Sequence, residues 1–455
     1  MAHQRFPRHR GVSPAAVVLA LTFLSLMLGF AQKYPCANGH PSEGVLWRQF
    51  CYSDILPLYS GRGLSDGDVP YLGHDIEYPV LTGALMGAVG LPVHTLGQSG
   101  ALLTMARAVG FETADEGIVF YWMTAAVLGG FAMITTWALL RCRRDRPWDV
   151  ALWAVSPGLL LIASVNWDLL AVALTTLAVL AWSRERPGWA GAMLGLGAAA
   201  KFYPLLLLGP LVLLCLRDRT RSSVRVASVT VGAAVATWGV VNLPVAVVAP
   251  HGWAEYYRFS TARWIDWGSL WYIADHLATG SVGRGVVHAL SGSVPALNRS
   301  SWLLFVACCV GIAALIWFAP RRPRVGAMAF LVVAAFLLTN KVWSPQFVLW
   351  LIPLAVLARP RWGFFLIWQA VEVGYLMSEL RVSLGAPGSA FAHEQASVAR
   401  WLCVAVMAGL VVSEALRPER DVVRSEDVDD PEGGVLTRTT SPPADPLSAA
   451  TTGAS

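Results

Sequence analysis

The chain has 455 residues, of which 55% are hydrophobic and 14% charged. That is about half the charged share of a soluble domain, which excludes an ordinary water-soluble fold. Its net charge of +5 does not indicate a nucleic-acid partner, because the basic residues fall in short clusters between apolar runs rather than on one amphipathic face. The apolar runs do not alternate with period two, so a membrane β-barrel is excluded. Membrane helices, which satisfy their backbone groups within each segment, are expected instead.

Residues 1–13 carry Arg5, Arg8 and Arg10 and precede an apolar run from Ala15 to Ala31. More apolar runs follow, so this one reads as an uncleaved first span behind a cytoplasmic N-terminus. A polar stretch then begins at about residue 32, the start of a large external region reaching about residue 117. It holds Cys36 and Cys51, a plausible disulfide if the loop is outside. It also holds the acids Glu43, Asp54, Asp66, Asp68, Asp75 and Glu77. Within it, Pro79 to Leu96 is apolar enough to span, but a span there would reverse the side of every later loop. We expect a helix lying on the outer surface, or else one arm of a re-entrant pair with 101–112.

Further apolar runs cover about 118–140, 148–165, 168–182, 188–200, 203–216, 226–249, 301–319, 325–339, 346–358, 362–379 and 397–416. Arginines mark every second loop. They are Arg141, Arg143, Arg144 and Arg146, then Arg184 and Arg186, then Arg217, Arg219, Arg221 and Arg225, then Arg321, Arg322 and Arg324, and finally Arg359 and Arg361. The positive-inside rule places these loops in the cytoplasm. The expected architecture is an all-α, multi-pass plasma-membrane protein of about twelve spans, with its core over 14–416 and external loops over about 32–117 and 250–300. The acidic, then Ser/Thr/Pro/Ala-rich segment 417–455 reads as a disordered cytoplasmic tail.

Some runs are shorter than the roughly 20 residues that a bilayer needs. Those flanking Asn166-Trp167-Asp168 and Lys201-Phe202-Tyr203-Pro204 therefore predict outer turns recessed below the surface, where polar residues are functional candidates. The 34 basic residues include three lysines, Lys33, Lys201 and Lys341, all on the outer side. Lys201 and Lys341 lie at recessed turns, where a compact ammonium can hold a phosphate or simply snorkel to the interface. Asn340 and Gln346 flank Lys341 as candidate partners. Asp54 lies among apolar and aromatic residues, where a carboxylate can serve as a general base or be a buried salt-bridge partner. Glu77-Tyr78-Pro79 is a second candidate. Eight of the 23 residues from His251 to Ile273 are aromatic, which suits an interfacial helix or a platform for sugar or lipid. No Cys/His metal spacing occurs.

The pattern Asp54, Tyr59, Gly63-Leu64, Gly67, Pro70-Tyr71 and Glu77-Tyr78-Pro79 resembles the first-loop signature of glycosyltransferase family 87. The turns at 166–168, 201–204 and 340–346 are also similar to that family. One departure is Val80, where a second proline often follows Tyr-Pro. The resemblance implies a GT-C-like helical bundle and transfer of mannose, with inversion, from a polyprenyl-phosphate donor to an extracytoplasmic glycolipid or glycan. It implies Asp54 as the catalytic base. Lys201, Lys341, Asn166, Asp168, Asn340, Gln346, Glu77 and Tyr78 are the candidates for substrate contact. No cofactor beyond the donor is assigned, and a divalent-metal requirement stays open. A twelve-span transporter or flippase of a lipid-linked or polar substrate is the alternative.

Overall fold

A computed structural model describes residues 13–37, 43–108, 114–425 and 429–436. The expected N-terminal segment, apart from Ser13, and the tail beyond Leu436 lie outside the described residues. The described chain is helical, with a single isolated β-bridge between Pro70 and His74.

Six helices among the described residues are long and apolar enough to cross a membrane: Pro14–Lys33, Val80–Gln98, Glu116–Cys142, Arg221–Val248, Val294–Phe318 and Ser389–Leu416. The other expected spans correspond mainly to shorter or interrupted helices, such as Asp168–Ser183, Pro187–Ala200 and Val325–Thr339. The run 148–165 breaks at Ser156-Pro157. There Pro157 supplies no N–H, the Ser156 hydroxyl accepts from Leu159 N, and Gln369 Oε1 accepts from Gly158 N at 3.1 Å. Interruptions of this kind are tolerated at membrane depth only where protein groups satisfy the freed backbone.

The arginine clusters meet at one end of the bundle. Arg184 donates to Arg141 O, Arg217 to Ile316 O and Ala319 O, and Arg324 to Leu357 O and Ala358 O. The alternation read from the sequence therefore holds in space. Val80–Gln98 has both ends at the opposite end. Thr82 bonds Ala200 O, and His94 and Gly97 abut Glu116, the first residue of the Glu116–Cys142 helix. It lies along that face rather than traversing the bundle.

Close backbone contact sets the remaining geometry. Gly191 and Gly195 rest on the Thr230 and Ala234 carbonyls, so the Pro187–Ala200 and Arg221–Val248 helices touch where any Cβ would collide. Thr22 bonds Thr136, which also accepts from Trp153 Nε1, locking the first helix to the bundle.

The expectation of a disordered tail from residue 417 needs correction over 418–425 and 429–436. That segment packs on the arginine-rich end. Arg324 pairs with Asp421 at 2.7 Å, Arg143 pairs with Glu432 at 2.8 Å, and Asp430 accepts from Val325 N. Arg143, Arg324 and Glu432 are buried. The acids that suggested solvation are instead the counter-charges of buried arginines, which cannot lie in the interior unpaired.

Candidate active site

The segment after the first helix is stitched down residue by residue. Cys36 and Cys51 form a disulfide with Cα atoms 5.6 Å apart. The buried Lys33 ammonium donates to Tyr52 O at 2.8 Å. Ser53 Oγ bonds Ser164 O, and Asp54 N donates to Val165 O at 2.9 Å. These bonds carry Asp54 to the 163–167 turn.

There the Asp54 carboxylate has two partners. Oδ1 accepts from the Tyr52 hydroxyl at 2.7 Å, and Oδ2 accepts from Asn166 Nδ2 at 2.8 Å. Burial and the Asp54 charge push the Tyr52 hydroxyl well above its ordinary pKa, so it remains a donor. Asn166 Nδ2 also donates to the Tyr78 hydroxyl at 2.7 Å. The Lys201 ammonium lies 5.1 Å from the centre of the Tyr78 ring, 5.7 Å from that of Phe347, and 3.5 Å from Asp168 Oδ2. A continuous chain of contacts thus runs from Asp54 through Asn166 and Tyr78 to Lys201.

These residues line a cavity of about 950 Å³. Asp54, Glu77, Tyr78, Asn166, Lys201, Asn340, Lys341 and Gln346 all reach its wall. Asp168 does not. It is fully buried behind Lys201, where Trp350 Nε1 donates to it at 2.7 Å, so it holds the lysine rather than facing the cavity. Glu77 is committed to a two-pronged pair with Arg62, at 2.5 and 2.6 Å. Lys341 directs its ammonium to two backbone carbonyls, Thr261 O at 2.9 Å and Arg263 O at 2.7 Å. Burial and the neighbouring Arg263 charge lower its pKa to about 8. Asn340 closes its own turn, accepting from Lys341 N and donating to Val342 O.

Several cavity residues escaped sequence reasoning. Tyr52, Arg263, Asp266 and Glu379 all face it. Asp266 Oδ2 accepts from Trp343 N and the Ser344 hydroxyl, and its Oδ1 lies 3.7 Å from Arg263. Tyr203, Trp350 and Phe347 stack in sequence, with ring centres 4.4 and 3.9 Å apart, beside Lys201. Arg400, buried behind the wall, donates to the Trp343 and Ser344 carbonyls and pairs with Glu372 at 2.9 Å. The aromatic density of 251–273 was the one usable signal. The helix Pro250–Ala262 turns Tyr256, Tyr257 and Phe259 toward the cavity. Among the described residues, no three His, Cys, Asp or Glu side chains gather as a metal site.

The family model of glycosyltransferase family 87 matches residues 100–340, more than half of the chain. The chain belongs to glycosyltransferase family 87. The match includes Asn166, Lys201 and Asn340, while the Asp54 to Pro79 stretch lies N-terminal to it. Comparison with curated proteins finds no match. Membership of the family makes the protein a membrane glycosyltransferase and favours sugar transfer over the transporter reading.

Proposed function

We propose that this family 87 glycosyltransferase moves a sugar, mannose, from a polyprenyl-phosphate donor to a glycolipid or glycan acceptor, inverting the anomeric centre. On this reading the cavity opens at the extracytoplasmic face of the plasma membrane. One observation carries the proposal. A carboxylate, Asp54, and an ammonium, Lys201, share one cavity wall and are held in register through Asn166 and Tyr78.

The two charges suit the two ends of the reaction. The acceptor hydroxyl gives its proton to Asp54 as its oxygen bonds to the anomeric carbon. The bond from that carbon to the phosphate oxygen breaks, and its electron pair leaves with the polyprenyl phosphate. Lys201, with Arg263 also lining the cavity, offsets the charge that develops on that oxygen. A phosphate leaving group does not need a strong acid. The hydrogen bonds from Tyr52 and Asn166 aim the Asp54 carboxylate, and its remaining lone pairs face the acceptor. Apolar lining residues, among them Trp302, Phe305 and Phe336, suit a donor that arrives from the lipid phase.

Purified protein in proteoliposomes, given radiolabelled polyprenyl-phosphate mannose and an envelope glycolipid extract, should form labelled product. Absence of transfer from this donor, together with transfer from a nucleotide sugar, would overturn the reading.

A further inference from the structure

Among the described residues, four carboxylates line the cavity: Asp54, Glu77, Asp266 and Glu379. In three of them each oxygen has a donor or a guanidinium of the protein beside it. Asp54 accepts from Tyr52 and Asn166, Glu77 from Arg62 on both oxygens, and Asp266 from Trp343 N and Ser344 beside Arg263. Glu379 differs. Its carboxyl group is within hydrogen-bonding reach of the Tyr375 hydroxyl, yet its buried Oε2 makes no hydrogen bond to any described residue. It also sits within electrostatic reach of Asp54 and Asp266, and among the described residues no basic side chain lies within 4.0 Å of it, Arg400 being farther away. An acceptor oxygen buried without a donor is costly to keep, and two further negative charges nearby raise that cost. The helix Trp362–Ser383 sets this carboxylate in the same wall as Leu376, Leu380 and Ser383. The terminal torsion of a glutamate is broad, so either oxygen can turn toward the cavity.

We propose that Glu379 is a specificity-determining residue that accepts a hydrogen bond from a sugar-ring hydroxyl bound in the cavity. The hydroxyl supplies the donor that the protein withholds. A site built this way discriminates strongly against an analogue lacking that hydroxyl, because the carboxylate is then left unpaired. The hydroxyl belongs either to the transferred sugar or to the acceptor sugar, and the experiment separates the two. The inference rests on the sugar-transfer reading of the cavity.

The test uses the full chain in nanodiscs, as wild type, Glu379→Ala and Glu379→Gln. One arm measures binding of polyprenyl-phosphate mannose and its 2-, 3-, 4- and 6-deoxymannose analogues. The other measures octyl α-mannoside and the same deoxy series. Glu379→Ala should weaken the parent compound about tenfold in one arm only, as expected for loss of a buried hydrogen bond whose partner is left unpaired. One deoxy analogue in that arm should bind wild type and variant equally, which identifies the hydroxyl. Glu379→Gln, which keeps an acceptor oxygen, should fall between them. An intact Cys36–Cys51 linkage and an unshifted melting temperature report that the variants fold. If every compound in both arms weakens by the same factor, or none weakens, Glu379 reads no hydroxyl and the proposal is overturned while sugar transfer stands. If wild type binds neither parent compound, the transfer reading falls, and this inference with it.

Discussion

Asn166 donates from one amide nitrogen to both Asp54 Oδ2, at 2.8 Å, and the Tyr78 hydroxyl, at 2.7 Å. The two residues of the Asp54–Asn166 pair lie 112 positions apart in the chain, and their bond, with that from Tyr52 to the other oxygen, sets the direction of the carboxylate. On the proposed reading Asp54→Asn keeps the shape but removes the base, so turnover should fall by about 10²-fold or more, with donor binding nearly intact. Asn166→Ala leaves the base but loosens its aim, and should lower turnover less. Radiolabelled transfer and donor binding, measured separately, check both. Full turnover in Asp54→Asn would move the base elsewhere.

Lys201 meets the donor phosphate in both the ground and transition states on this reading, so Lys201→Met should weaken donor affinity as well as turnover. Lys201→Arg should rescue only partly, since a planar fork does not fill the place of an ammonium set between the Tyr78 and Phe347 rings. Asp168→Asn should weaken the donor through Lys201 while leaving acceptor affinity unchanged. Equal effects of Asp168→Asn on both substrates would mean general damage.

Lys341 has its pKa lowered in the folded protein, from 10.5 to about 8. Between those values the unfolded chain binds the proton that the folded chain has released. The folded state therefore gains stability as pH rises from about 8 to 10.5, and the penalty for burying the charge is fully present below 8. The melting temperature of wild type should rise relative to Lys341→Met over that window. A difference that does not change with pH would show that Lys341 does not titrate there. Loss of its bonds to Thr261 O and Arg263 O should also release the segment that presents Arg263.

Truncation after Arg417 removes Asp421 and Glu432 and leaves Arg143 and Arg324 buried without their carboxylates. Breaking a buried ion pair from one side costs about 3–5 kcal/mol. The truncated protein should melt well below wild type in detergent, and truncation after Leu436 should not. Equal melting of all three would show that the packed tail contributes nothing to stability.

The Cys36–Cys51 linkage closes a loop of 15 residues immediately before Tyr52 and Asp54. Loops of that length lend about 3 kcal/mol in the chain-entropy account. Cys36→Ser with Cys51→Ser should lower both the melting temperature and turnover, and added reductant should reproduce both effects on wild type. A reduced protein with unchanged turnover would separate the disulfide from the site.

Much of this was legible in the residues because it depends on local chemistry. Apolar runs of helix length, punctuated by arginines at every second loop, determine a helical membrane protein and the end at which its arginines gather. Short runs predicted recessed turns, and Asn166 and Lys201 do line the cavity with Asp54. What local chemistry does not contain is the identity of partners brought from far along the chain. Glu77 and Asp54 look alike in sequence, but the fold gives Arg62 to one and Asn166 to the other. Lys201 and Lys341 look alike, but one faces aromatic rings in the cavity and the other binds carbonyls from 78 and 80 residues away. The acidic tail looks solvated until Arg143 and Arg324 are found buried beneath it. The sequence by itself thus determined the solvent this protein folds in and the kinds of charge it places at the site end. The tertiary structure alone decided which charges are neutralised and which remain open, because pairing depends on distance in space, and burial makes each pairing count for several kcal/mol.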